Sequence, residues 1–348
     1  MDKITPENVC LTQYSHGAGC GCKISPKVLR NILSHTQTEV LDSKLLVGNS
    51  TLDDAAVYDI GNDQVLISTT DFFMPIVDNP LDFGGIASVN AISDVYAMGG
   101  KPLMAIAILV WPVDKLSEAI AGQVMEGAKR ACAEAGIAIA GGHSIDGPEP
   151  IFGLAVTGIA DKAQVKKNSS ATVGCEIYLT KPLGVGILTT AQKKKLLKDS
   201  DLDKARKSML TLNKIGQELG QLKGVKGLTD VTGFGLLGHL AELAEGSGLS
   251  ARIKAADVPL IDGLEYYIEN DCFPGGTFRN YDSYGYKVSP ITERQKQILC
   301  DPQTSGGLLV AVEPSEREAF MAVCHKSGLA LKSFGVMEAA GDFAVVVE

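Results

Sequence analysis

Near the start of the chain, Gly19-Cys-Gly-Cys-Lys23 sets two thiols beside an ammonium. Flanking glycines leave the Cys20 thiol exposed, and a nearby lysine favours its thiolate. Such a group suits a nucleophile or a carrier of a soft atom. Two rival uses exist. His16, Cys20 and Cys22 would give zinc three donors, where a structural site takes about four. The Cys-x-Cys spacing also differs from the Cys-x-x-Cys of a dithiol redox motif. On spacing alone, a reactive thiol, a metal ligand and an inert cysteine all remain open.

The second group is carboxylate. Asp53 and Asp54 precede the apolar Ala55-Ala-Val57, Asp71 closes an apolar run, and Asp94 and Asp230 sit beside small-residue turns. Carboxylates in apolar, glycine-rich surroundings are costly unless paired or bound to a cation. Mg²⁺ takes oxygen ligands, often a few carboxylates plus substrate phosphates, so these aspartates can converge on Mg-nucleotide. Helix caps and turns use the same residue types. Ser93-Asp-Val95 and Thr229-Asp-Val231 echo each other, each followed closely by glycine.

No G-x-x-x-x-G-K-[ST] loop occurs, which disfavours a Walker-type ATPase. Gly233-Phe-Gly-Leu-Leu-Gly238, with Asp257 further on, imitates a dinucleotide fingerprint. Its upstream segment 224–231 is interrupted by Lys226, Gly227 and Asp230, which makes a poor buried parallel strand. His143 follows Gly141-Gly142 at an expected strand end, within reach of a phosphate. His239 opens a helix and also suits a structural role.

Strands are expected at Val65–Thr70, Leu103–Val110, Ile137–Ala140, Phe152–Ala160, Ile177–Thr180, Leu249–Ile253, Leu308–Val312 and Phe343–Val347. Helical spacing marks Phe83–Met98, Leu116–Ala135, Leu188–Leu197, Lys204–Leu222, Phe234–Ala244 and Ser315–Ser327. The polar stretch Asp161–Gly174 reads as the boundary between two mixed α and β halves.

Length and charge bound the function. A chain of 348 residues predicts about two domains. Its net charge of −9 excludes a uniformly basic nucleic-acid footprint. Glycine, 38 residues, is well above the usual ~7% and falls in clusters suited to close backbone approach. The longest apolar run, Leu103–Val113, is too short for a membrane span. Residues 1–10 carry no apolar signal core, so the eight cysteines are expected reduced, in the cytoplasm.

Six stretches then carry a resemblance: Leu11–Lys23, Thr69–Phe73, Asn90–Gly100, Ala140–Ser144, Asp230–His239 and Asp301–Gly307. In this order, over nearly the whole chain, they resemble the selenide, water dikinase (selenophosphate synthetase) family of the aminoimidazole ribonucleotide synthetase superfamily. Gly-Cys-Gly-Cys-Lys is the most specific piece; the aspartate and glycine motifs alone point only to the superfamily. The resemblance implies synthesis of selenophosphate from ATP, selenide and water, releasing AMP and phosphate. It implies an α+β fold of two domains, with N-terminal-domain strands pairing into a barrel across a homodimer and a C-terminal α/β sandwich. The segments would be a mobile glycine-rich catalytic segment 1–25, an ATP- and Mg²⁺-binding domain 26–165 and a C-terminal domain 170–348. By motif match Cys20 and Lys23 are catalytic, and Asp54, Asp94 and Asp230 hold Mg²⁺. The ATP contacts are Lys23, Thr51, Leu52, Asp53, Asp71, Asp94, Gly142, His143 and Ser144. Leu52 stands where a polar residue or proline is expected, which leaves that contact to its backbone. A selenium-delivery protein is a further expected partner. Among sister families, thiamine-monophosphate kinase and aminoimidazole ribonucleotide synthetase do not call for the Cys-Gly-Cys-Lys loop.

Overall fold

The computed structural model describes residues 9–24, 28–29, 31–32, 35, 42–48 and 53–348, without the side chain of Cys22. Thr51 and Leu52 lie outside the described residues.

The first half runs β1 (Leu45–Val47), β2 (Ala56–Gly61), β3 (Gln64–Phe73), α1 (Pro80–Ala97), β4 (Lys101–Trp111), α2 (Glu118–Glu134), β5 (Ala138–Asp146) and β6 (Ile151–Asp161). Its sheet has the order β1-β2-β3-β6-β4-β5. Alternation along β3 buries Val65, Ile67, Asp71 and Phe73 on one face, as a period of two requires. That face packs on α1, and α2 packs on α1 and β5. Asn79 caps α1, accepting from the Asp82 amide at 3.0 Å, and Pro80 takes its first position. The small residues of α1 let α2 come close: a Cβ on Gly84 would sit 1.8 Å from the Val124 carbonyl oxygen, and one on Gly127 1.8 Å from that of Leu81.

The second half runs β7 (Glu176–Leu179), α3 (Val185–Lys193), α4 (Leu202–Leu210), α5 (Ile215–Gly220), β8 (Val225–Asp230), α6 (Gly235–Gly246) and β9 (Leu249–Ile253). It continues through α7 (Leu264–Glu269), α8 (Gly275–Tyr284), α9 (Glu293–Leu299), β10 (Leu308–Val312), α10 (Arg317–Lys326), β11 (Gly335–Ala339) and β12 (Val345–Val347). The second sheet has the order β12-β9-β11-β7-β10-β8. Its own core lies under α6, whereas Val185, Leu188, Ala205 and Met209 of α3 and α4 join the core of the first half.

Several expectations change. The helix read over Lys204–Leu222 is two helices, because Asn213 spends its side-chain amide on the Ser93 hydroxyl and the Gly306 carbonyl, both at 2.8 Å. Residues 224–231 do contain a buried strand, β8, but it pairs antiparallel with β10. β8 and β9 are not neighbours, so Gly233–Gly238 does not join two adjacent parallel strands as a dinucleotide fold needs. The polar stretch at 161–174 is not simply solvated: Lys166 and Asn168 are buried, and Lys166 donates to the Leu222 carbonyl at 2.7 Å. His143 does not end a strand; β5 runs on through Asp146, and His143 pairs with Ile108 of β4.

Candidate active site

The first sheet and α1 build the site by register. Thr69 and Asp71 are two apart on β3, so both face α1. Asn90 and Asp94 are one turn apart on α1, so both face β3. Two strand residues span about 6.6 Å and four helix residues about 6 Å, so the two pairs align. Asn90 Nδ2 donates to Asp71 Oδ2 at 2.7 Å, and Thr69 Oγ1 donates to Asp94 Oδ2 at 2.5 Å.

The N-terminal segment brings the thiol to this ladder. Cys20 Sγ donates to Asn90 Oδ1 at 3.1 Å, and its amide donates to Thr304 Oγ1 at 3.1 Å. Lys23 Nζ donates to the same Asp71 Oδ2 at 3.1 Å. The thiol expected to be exposed is therefore buried, with 1% of Cys20 accessible, because two loops of the second half close over it. A Cβ on Gly233 would lie 2.6 Å from the Cys20 carbonyl oxygen, so that glycine serves close approach to the N-terminal segment. Burial opposes the Lys23 charge, but Asp71, Cys20 and Asp94 outweigh it and hold the ammonium protonated, above its ordinary range. Its side chain keeps 39% of its surface open.

Asn90 is the hub that sequence reasoning missed. It accepts from Cys20 and, at 2.8 Å, from the Ser305 amide, while donating to Asp71. These bonds fix which end of the amide is oxygen. The available signal was a buried amide one turn before Asp94 in an otherwise apolar helix. Ser305, at φ 51°, has its carbonyl held by buried Lys181 at 2.9 Å. Burial pulls the Lys181 ammonium down to about 7, against the pull of Asp230.

The carboxylates gather beside this hub. Burial, then Asp230 and Asp94, push Asp54 well above the usual carboxylate range. Burial, then Asp230 and Asp71, do the same to Asp94. Burial also raises Asp230, with Lys23 and Lys181 opposing. The two halves of the Ser-Asp-Val and Thr-Asp-Val echo thus meet in space. Asp54 Oδ1 accepts from Thr229 Oγ1 at 2.8 Å, and Asp53 Oδ1 from the Asn168 amide at 2.8 Å. The second oxygens of Asp53, Asp54 and Asp230 are buried without a hydrogen-bond partner. Mutually repelling carboxylates with orphaned oxygens are the donor set a hard cation satisfies. Among the described residues, no three His, Cys, Asp or Glu side chains already converge at coordinating distance.

Other candidates fall elsewhere. Gly142, His143 and Ser144 lie exposed on the edge strand β5. His16 Nδ1 pairs with Glu149 at 2.9 Å, so His16 and Cys20 turn to different partners rather than a shared zinc. His239 accepts the Thr232 amide at 3.1 Å and stacks on Phe234. Burial, with Lys23, lowers it to about 3, so it is neutral and structural.

Comparison with known proteins decides the family. A selenide, water dikinase of Bordetella bronchiseptica is 60% identical over 339 residues, covering 97% of this chain and 98% of the relative. That of Pseudomonas putida is 60% identical over 98% of this chain and 99% of its own. The chain belongs to the selenide, water dikinase family. The families described as AIR synthase related protein, N-terminal domain and C-terminal domain, match residues 52–160 and 172–348. Solved structures share this two-domain α+β fold. The thiamine-monophosphate kinase of Stenotrophomonas maltophilia superposes with a TM-score of 0.65 at 18% identity, over 92% of this chain and 94% of that one. The hydrogenase maturation protein HypE in complex with ATP gives 0.64 at 20% identity, over 97% and 94%. The dikinase relatives, unlike these distant neighbours, match at high identity through nearly the full length.

Proposed function

We propose that this chain makes selenophosphate from ATP, selenide and water, releasing AMP and phosphate. The observation that carries the reading is the meeting of the Cys20 thiol and Lys23 ammonium, through Asn90 and Asp71, beside the Asp54, Asp94 and Asp230 carboxylates. The stoichiometry cleaves two phosphoanhydride bonds, one by selenide and one by water.

Lys23, Thr51, Leu52, Asp53, Asp71 and Asp94 are assigned to ATP by motif match, and of these Lys23, Asp53, Asp71 and Asp94 lie within the described residues. Asp54, Asp94 and Asp230 would hold Mg²⁺, which supplies charge neutralisation and orientation of the phosphates. Lys23 adds positive charge where negative charge builds on the transferring phosphoryl group. Asn90 fixes the Cys20 thiol against the phosphate-facing lysine, and the segment 9–24 excludes water above it. Closure of that segment over ATP raises protease protection of residues 10–25 when Mg-ATP is added; unchanged protection would count against it.

A homodimer completes the site. The face of the first sheet away from α1 exposes Tyr58, Ile60, Phe72, Leu103, Met104 and Ile106, an apolar patch that a second copy covers by strand pairing. The same pairing lets a second copy present Gly142, His143 and Ser144, exposed on the edge strand β5, to ATP. No helix among the described residues is long and apolar enough to cross a membrane. Buried free thiols at Cys132, Cys175, Cys300 and Cys324 support a reducing, cytoplasmic setting. A selenium-delivery protein is the remaining proposed partner.

Phosphorus NMR of the protein with Mg-ATP, with and without selenide in the absence of oxygen, tests the reading. Selenide-dependent selenophosphate with AMP and phosphate is expected. ATP converted to ADP regardless of selenide would place the chain with a sister kinase or synthetase.

A further inference from the structure

A cleft of about 370 Å³ opens beside the N-terminal segment. Its walls include Gly17 and Gly21 of that segment, Ile76, Thr190 of α3, Phe273 and Arg279 of α8. None of Asp53, Asp54, Asp71, Asp94 or Asp230 lines it. A smaller cavity of about 20 Å³ adjoins it, lined by Cys20 and Lys23 together with Gly21, Gly276 and Arg279. Gly21, Gly276 and Arg279 belong to both. They form a neck between the cleft and the active thiol. Arg279 Nη2 donates to the Gly21 carbonyl at 3.3 Å across that neck. Gly275 and Gly276 begin α8, so the positive end of that helix faces the same space. The acidic residue in the cleft, Asp78, accepts both the amide and the hydroxyl of Thr12. His16 at the rim is paired with Glu149.

This geometry answers a problem of charge, and the answer rests on the function proposed above. Selenide at neutral pH is an anion. From the ATP side it would pass clustered carboxylates and a triphosphate, in a protein of net charge −9. Like charges at that range raise the encounter barrier, whereas a cation at a confined entrance raises local anion concentration. We propose that the cleft is the route by which the anionic selenium nucleophile reaches Cys20, and that Arg279 at its neck recruits the anion. Arg279 is a guiding residue: it acts before chemistry and leaves ATP untouched.

Arg279→Gln and Arg279→Lys, assayed with hydroselenide and Mg-ATP, test this. Arg279→Gln raises the KM for selenide about tenfold, leaves kcat and the ATP KM near wild type, and Arg279→Lys recovers most of the loss. A second readout needs no turnover. Iodoacetate and iodoacetamide label Cys20 at rates followed by peptide mass spectrometry. Removing the Arg279 charge lowers the iodoacetate-to-iodoacetamide ratio about fivefold. Thr190→Trp, which narrows the cleft without changing charge, slows both reagents alike and raises the selenide KM. An unmoved selenide KM in Arg279→Gln, a loss confined to kcat, or an unchanged reagent ratio overturns the proposal. Wild-type protein that makes no selenophosphate at all overturns instead the function on which it rests, whatever the reagent ratio does.

Discussion

Cys20 Sγ donates to Asn90 Oδ1 across 3.1 Å, tying the N-terminal segment to the middle of a helix seventy residues on. The same amide bonds Asp71 and the Ser305 backbone. Thiol, carboxylate and a loop of the second half are therefore held by one side chain, and Lys23 joins them through Asp71.

Replacing that side chain disconnects them. Asn90→Ala leaves the buried Ser305 amide without its acceptor, at about 1–3 kcal/mol, and frees the thiol to move. Misplacement of about 1 Å lowers turnover about a hundredfold. Selenophosphate formation read beside a thermal melt checks both numbers; normal turnover in a folded variant would show that Asn90 does not position the thiol.

Cys20→Ser keeps the hydrogen bond to Asn90 but removes the soft atom. The expected outcome is loss of selenophosphate formation with ATP binding retained. Equilibrium binding and phosphorus NMR separate the two, and full activity would remove Cys20 from the mechanism. Cys22→Ser is expected to be tolerated.

Asp94→Asn relieves the repulsion from Asp230 and Asp71 yet takes away one anionic oxygen donor. Mg-ATP affinity, measured by calorimetry, falls about tenfold or more. Unchanged affinity would refute the ligand assignment.

Asp301 sets a pH dependence away from the carboxylate cluster. It accepts the Gly186 and Ile187 amides, and burial raises it to about 7. The folded state thus holds this proton at a higher pH than the unfolded chain. Its contribution is full below about pH 4 and is lost as pH rises to about 7, on the order of 4 kcal/mol in all. Asp301→Asn removes that titration, so its stability relative to wild type improves between pH 5 and pH 8. Parallel denaturation curves at the two pH values would contradict this.

Ile106→Glu places a charge in the exposed apolar face of the first sheet. Sedimentation is expected to show wild type as a dimer and the variant shifted toward monomer, with selenophosphate formation falling in step. A wild type that sediments as a monomer at micromolar concentration would remove the completed-site reading.

Much was legible in residue order. The alternation that buries Asp71 with Val65 and Ile67, the small-residue helix carrying Asp94, and the Gly-Cys-Gly-Cys-Lys run are local patterns, and local physics makes them readable. The strand ends were less so. β5 extends through Gly141-Gly142 because pairing with β4 supplies hydrogen bonds that glycine propensity argues against. The sequence by itself determined the family pattern, the net charge and which residue types could do chemistry. Only the tertiary structure decided that Cys20 is buried, that Asn90 joins it to Asp71, and that Arg279 lines both the cleft and the small cavity beside the thiol. Those facts depend on contacts between segments as far apart as residues 20 and 304, and no local spacing encodes such a meeting.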